Sequence, residues 1–112
     1  MVEDPPIDAV FHALSHQSRR DMVARLSEGE LTVGELAEPL AMSLAAASKH
    51  VKVLENAGLL RRTISGRQHL CRLEPQPLAT AHQWLSFYET FWSDRLDALD
   101  ALFRRNDSRR TT

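Results

Sequence analysis

Ser43-Leu44-Ala45-Ala46-Ala47-Ser48-Lys49-His50-Val51-Lys52-Val53-Leu54 reads as one helix, and Glu55-Asn56-Ala57-Gly58 ends it. Ala47, Val51 and Leu54 recur at i, i+4 and i+7, the spacing of a buried helical stripe. Ser43, Ala46, Lys49 and Lys52 fall away from that stripe. Two short apolar and basic runs follow, residues 59–64 and 68–73, hinged on Ser65-Gly66-Arg67. They predict a hairpin in which Ser65-Gly66 supplies the positive backbone angles of the turn. A basic helix followed by a basic hairpin is the pattern of a winged helix-turn-helix. There the helix enters a major groove and the wing lies on the backbone beside it.

Charge is distributed to match. Residues 43–73 carry Lys49, Lys52, Arg61, Arg62, Arg67 and Arg72 against Glu55 alone, a net +5. Residues 1–42 carry −5 and residues 74–112 carry −1, so the chain's formal charge of −1 conceals a basic middle. Distribution, not the total, points to nucleic acid.

Working outward, Thr32 is placed to cap the helix before this one, with Glu35 three residues on as its capping-box partner. Val33, Leu36, Ala37 and Leu40 face inward there, and Ala41-Met42 turns the chain. A helix from about Ser18 to Glu28 precedes it, with Ser18 and Asp21 as a weak box and Gly29 as its stop. Pro5 and Pro6 open a first helix that carries Ile7, Val10, Phe11 and Leu14. Pro75 and Pro77 introduce one long last helix, about 78–105, with a wide apolar stripe through Trp84, Tyr88, Phe91, Trp92 and Leu99. The expected fold is therefore mainly α with a small β-hairpin: five helices in a single winged helix-turn-helix domain over residues 1–112. Its DNA-reading unit is 32–73, and helices 5–15 and 77–105 are left to pair two copies.

Several classes of function are excluded or disfavoured. The chain has no Gly-rich phosphate loop, nucleophile elbow or metal-and-base cluster, so an enzyme is not expected. A lone cysteine, Cys71, rules out a disulfide or a cysteine-only metal site within one chain. The acidic, proline-containing start has no apolar signal core, and no run reaches the ~18 apolar residues of a membrane span, so a cytoplasmic protein is expected. His12 and His16 stand four apart, a spacing that holds zinc on a helix, but no third ligand accompanies them.

Val10-Phe11-His12-Ala13-Leu14-Ser15-His16-Gln17-Ser18-Arg19-Arg20 opens a run of segments with a shared likeness. Gly29-Glu30-Leu31-Thr32-Val33-Gly34-Glu35-Leu36-Ala37, Met42-Ser43, Ser48 to Leu54 and Ala57-Gly58-Leu59-Leu60 continue it in order. Together they resemble the ArsR-type (ArsR/SmtB) winged-helix repressors over nearly the whole chain. The resemblance implies a homodimer joined by its first and last helices, with two recognition helices on a pseudo-palindromic operator of double-stranded DNA. Metal-sensing members carry Cys-x-Cys before the recognition helix. Here Thr32 and Gly34 stand at those positions, and the last helix offers only His82 and Glu89 for the other common metal site. The chain thus looks more like the metal-independent subgroup, with no metal and no cofactor.

The candidate DNA contacts are Ser43, Leu44, Ala45, Ser48, Lys49 and Lys52 on the helix and Arg62, Gly66 and Arg67 on the wing. Lysine suits phosphate or the acceptor edge of guanine, serine suits any base or phosphate, and Leu44 is divided between a thymine methyl and simple packing. His50 is divided between packing and a phosphate contact. Arg19 and Arg20 are read as salt-bridging to nearby acids, and Cys71 as half-buried. The candidate dimer contacts are Val10, Phe11, Leu14, Trp84, Tyr88, Phe91, Trp92 and Leu99. The leading expectation is a transcriptional repressor that uses no chemistry. A metal- or effector-responsive sensor of the same fold and a winged-helix protein-interaction module are the alternatives, and the effector stays open.

Overall fold

A computed structural model describes residues 7–110, and Pro5 and Pro6, expected to start the first helix, lie outside them. The elements run α1 (Ile7–Ala13), α2 (Gln17–Leu26), β1 (Leu31–Thr32), α3 (Val33–Ala37), a 3-10 turn (Glu38–Leu40), α4 (Leu44–Asn56), β2 (Leu60–Ser65), β3 (Gln68–Leu73), α5 (Gln76–Ser86) and α6 (Glu89–Arg110). Residues up to Ala81 form one compact unit and residues from His82 a second.

The first unit packs α1 to α4 and the sheet around Met22, Leu36, Val51, Leu54, Leu59 and Cys71, all fully buried. The predicted stripe of α4 is this core: Ala47, Val51 and Leu54 are each sealed from solvent. α3 starts as its sequence dictates. Glu35 N–H donates to Thr32 Oγ1 at 3.1 Å, and Thr32 N–H donates to Glu35 Oε1 at 2.8 Å. The bond from Thr32 N–H, then the Thr32 hydroxyl, favour the ionised carboxylate and hold Glu35 below its ordinary pKa. Ser43 caps α4 by accepting from Ala46 N–H at 3.1 Å. Between the two helices Ala41 turns the chain with φ 52°, a left-handed angle unusual outside glycine.

The structure corrects several expectations. The hairpin is widened to a three-stranded antiparallel sheet, order β1-β3-β2, because Leu31 and Thr32 pair with Cys71 and Leu70. A two-residue strand carries too little periodicity to be read from sequence. In the β2–β3 turn Gly66 alone has a positive φ, 61°, with Ser65 pairing Gln68 across it. α2 begins at Gln17, where the His16 ring, not Ser18, is the cap, its Nδ1 accepting from Ser18 N–H at 3.2 Å. The last helix is broken, so the described residues form six α-helices, not the expected five. Phe87 N–H and Tyr88 N–H bond back only three residues, to the carbonyls of Trp84 and Leu85. Neither glycine nor proline stands there; the adjacent aromatics Phe87 and Tyr88 have modest helix propensity, and the tightened turn ends α5. Val10, expected at a dimer surface, is 2% exposed within its own protomer's core. Cys71 is fully buried, not half-buried, and burial raises its thiol pKa.

In the second unit, no side chain of α6 among the described residues is buried. Phe91, Trp92, Leu96, Leu99, Leu102 and Phe103 are all exposed, Leu96 at 61% and Phe103 at 60%. The expected dimerisation segment 77–105 lies across the boundary between the two units. No described helix is long and apolar enough to cross a membrane.

Candidate nucleic-acid interface

The fully buried stripe on α4 fixes which side of that helix is left over. Ser43, Leu44, Ala45, Lys49 and Lys52 are exposed, Leu44 at 61%, and Ser48 is half-buried beside them. The Ser43 hydroxyl is engaged in its capping bond, so it anchors the helix start and has only its remaining hydrogen-bonding capacity for DNA. At the far side of the sheet Gly66 and Arg67 are exposed at the wing tip. A groove of about 450 Å³ separates helix from wing, with Gly34, Leu44, Ser48, Arg67, Gln68 and His69 among its walls. Thus the helix start and the wing tip, distant in sequence, are brought to one groove.

Arg62 does not join them as a free cation. Strand alternation puts it on the same face as buried Leu60, and its side chain is only 17% exposed. Its Nη2 donates to Glu55 Oε1 at 2.9 Å, and its Nη1 lies 3.4 Å from His69 Nδ1. The pair ties β2 to the last turn of α4, so Arg62 fixes the wing against the recognition helix. Two signals in the sequence point this way: Glu55 is the single acid of the basic segment, and Arg62 is two residues from Leu60.

His50 packs, and does so against the start of α2. Its Nδ1 lies 3.2 Å from Arg19 Nη1, and its ring centroid is 4.6 Å from that of His16. Burial first, then the nearby His16 and Arg19, lower its pKa below 6.5. Among the described residues Arg19 bridges no acid, although its sequence context suggests a salt bridge. It is buried at 8% exposure, with Nε donating to Ala13 O at 2.7 Å and Nη2 to His12 O at 3.2 Å. Arg20 likewise donates to a carbonyl, Leu14 O, at 2.8 Å. α1 ends at Ala13, so carbonyls at and just after its end are open to side-chain donors, Ala13 O to Arg19 and Leu14 O to Arg20, while His12 O is shared between Arg19 and Ser15. That same end separates His12 from His16, which do not share one helical face. Among the described residues no three His, Cys, Asp or Glu side chains gather as a metal site. The sequence reading misses the roles of Arg19, His16, Glu55 and His69.

Comparison with known proteins agrees with this geometry. A helix-turn-helix domain family matches residues 14–63. The HTH-type transcriptional regulator Rv2034 of Mycobacterium tuberculosis is 38% identical over 89 residues, covering 80% of each chain. The crystal structure of the ArsR family transcriptional regulator RHA00566 superposes with a TM-score of 0.71 at 36% identity, covering 77% of this chain and 94% of that one. A possible transcriptional regulator for arsenical resistance gives a TM-score of 0.64 at 39% identity, over 80% of this chain and 91% of its own. The chain belongs to the ArsR-type family of winged helix-turn-helix transcriptional regulators, DNA-binding proteins without enzymatic activity.

Proposed function

We propose that the protein is a homodimeric repressor that occupies a pseudo-palindromic operator, its own promoter among the targets, and needs no metal to do so. The observation that carries this reading is the shared groove. Leu44 and Ser48 on α4 face Arg67 and Gln68 on the wing across it, with Lys49 and Lys52 exposed further along the helix. Ser48 and Lys49 are the readers, with Ser43, Leu44, Ala45 and Lys52 beside them. Gly66 lets the wing tip approach a phosphate closely, and Arg67 holds it. Arg62, bound to Glu55, sets the wing's position.

Dimerisation rests on α6. Trp92, Leu96, Leu99 and Phe103 follow at i, i+4, i+7 and i+11, one exposed apolar stripe. Trp84, Tyr88 and Phe91 extend the same apolar character back along the chain. In the first unit Phe11 and Leu14 are the corresponding contacts, while Val10 is used inside the protomer. Contiguous apolar surface of this kind marks a protein contact. Independence from metal rests on Thr32, whose hydroxyl is occupied in the α3 capping box.

A footprint on DNA upstream of the protein's own gene tests this. Two protected half-sites about one helical turn, ~10 base pairs, apart are expected, unchanged by chelator. Protection of a single half-site, or none, refutes the dimeric operator complex.

A further inference from the structure

A second cavity, also about 450 Å³, lies within the first unit between α1, the end of α4, the start of β2 and the first turns of α5. Its volume is in the range of small-molecule sites, roughly 300–1,000 Å³. Val10, Leu60 and Pro77 give it an apolar wall. Two ion pairs edge it. Arg62 Nη2 meets Glu55 Oε1 at 2.9 Å, and Arg61 Nε meets Glu74 Oε1 at 3.3 Å.

The second pair is uneven. Arg72 Nη2 also reaches Glu74 Oε1, at 3.4 Å, so one carboxylate serves two guanidinium groups. The cavity itself is lined by two cations and two anions, Arg61, Arg62, Glu55 and Glu74, and Arg72 stands outside it as the second partner of Glu74. An anion that takes Arg61 leaves Glu74 paired with Arg72, and no charge is stranded. A cation that takes Glu74 strands both Arg61 and Arg72. The arginine fork also suits a carboxylate, two N–H donors to two oxygens.

We propose that this cavity binds a small organic anion, a carboxylate on an apolar body, and that operator binding responds to it. The coupling has a material basis. Glu55 and Gly58 stand at the end of the recognition helix, Leu60, Arg61 and Arg62 begin the wing, and all five line the cavity. A negative charge added beside Arg61 and Arg62 also weakens the positive potential at the wing's base. This inference rests on the reading of the protein as an operator-binding regulator.

The test uses the full chain and four acids, hexanoate, benzoate, 3-phenylpropionate and indole-3-acetate, each against its matched primary amine. Binding is followed by amide shifts of Val10, Leu60 and Thr80 in two-dimensional NMR spectra. At least one acid is expected to saturate these shifts while its amine does not. Arg61→Gln should weaken that acid tenfold or more, and Glu74→Gln, which removes the competing carboxylate, should tighten it severalfold. Opposite effects from two neighbouring substitutions are not produced by general loosening, and circular dichroism checks that both variants fold. Saturating acid should lower operator affinity threefold or more. Failure of every acid to saturate, equal binding of the amines, closure of the cavity by a second copy of the chain, variants moving affinity in one direction, or unchanged operator affinity each overturns the proposal. Operator binding measured without any acid separates this result from the regulator reading: intact DNA binding with no acid bound sinks the cavity alone.

Discussion

Arg19 Nη1 lies 3.2 Å from His50 Nδ1, so a buried guanidinium at the start of α2 holds the middle of the recognition helix. The same side chain closes the end of α1 through Ala13 O and His12 O. One residue therefore joins three helices, and its acceptors among the described residues are neutral. Replacing Arg19 by leucine removes the buried bond to Ala13 O, which costs about 1–3 kcal/mol for a group of this kind, while His12 O keeps its bonds from Ser15. Urea unfolding of Arg19→Leu should show a loss of about 1–3 kcal/mol, chiefly from Ala13 O. A loss under about 0.5 kcal/mol, the scatter of ordinary surface changes, would mean that Arg19 is dispensable to the fold.

The contact also predicts a pH dependence. His50 accepts from Arg19 through Nδ1, which requires that nitrogen to be unprotonated. Burial, then His16 and Arg19, lower its folded pKa below 6.5. His16, the cap of α2, and Arg19 within it are the charged or titratable described groups that face it, and Lys49 is its neighbour on α4. A lowered pKa means the unfolded chain binds the proton more readily. The stabilisation is therefore complete above about pH 6.5 and is lost as pH falls from there through the folded value. Unfolding free energy of the natural protein should drop more steeply between pH 7 and 5 than that of His50→Gln. Parallel curves for the two proteins would show that His50 does not titrate with folding.

Ala41 offers a test of the turn between the two helices. A left-handed angle costs a residue with a Cβ about 1–2 kcal/mol, and glycine avoids this. Glycine also gives back about 0.4–1 kcal/mol by loosening the unfolded chain. Ala41→Gly should therefore raise stability by about 0.5–1 kcal/mol, the difference between those terms. Thermal and urea unfolding of the variant check this; a fall in stability would show that Ala41 is unstrained at φ 52°.

The exposed stripe of α6 predicts assembly through Leu99. Leu99 is 48% exposed in the isolated protomer and stands between Leu96 and Phe103 on the same face. Sedimentation at micromolar concentration should give a dimer mass. Leu99→Glu should give a monomer, because each large apolar side chain buried at an interface contributes about 1.5–3 kcal/mol and a carboxylate there must be desolvated. A dimer that survives Leu99→Glu would place the interface elsewhere.

What is legible in the sequence follows from how far each signal reaches along the chain. The core of α4, the Thr32–Glu35 box and the Ser43 cap are local patterns of a few residues, and they stand where the spacing puts them. The exposed side of α4 is legible for the same reason, since a buried stripe defines its complement. Arg19, Arg62 and His50 are not legible in this way, because their partners are remote. Arg19 meets a residue 31 positions away, and Arg62 reaches back seven positions across a turn. Basic residues in a basic segment look alike until the fold shows which are already bound. Strand β1 needs Leu70 and Cys71 as partners, about 40 residues on.

The difference between free and bound arginines separates three classes of variant at the DNA interface. Ser48→Ala or Lys49→Ala removes a group from the exposed side of α4. If it reads a base, binding weakens by about 1–3 kcal/mol and the preference at one position of each half-site relaxes. Arg67→Ala removes an exposed wing-tip cation. It should weaken binding to operator and scrambled DNA alike and reduce the salt slope by about one unit for each phosphate that Arg67 neutralises. Arg62→Ala acts differently, because its guanidinium is bound to Glu55. It should lower stability and weaken operator binding by freeing the wing, yet leave the salt slope close to that of the natural protein. Glu55→Gln, which breaks the same pair and removes a negative charge, should reproduce the fall in stability. The measurement is a salt titration of each variant on operator and scrambled DNA, with urea unfolding alongside. A salt slope that falls for Arg62→Ala as much as for Arg67→Ala would show that Arg62 leaves Glu55 and takes a phosphate in the complex. Altered sequence preference in Arg67→Ala, with none in Ser48→Ala or Lys49→Ala, would exchange the roles of wing and helix.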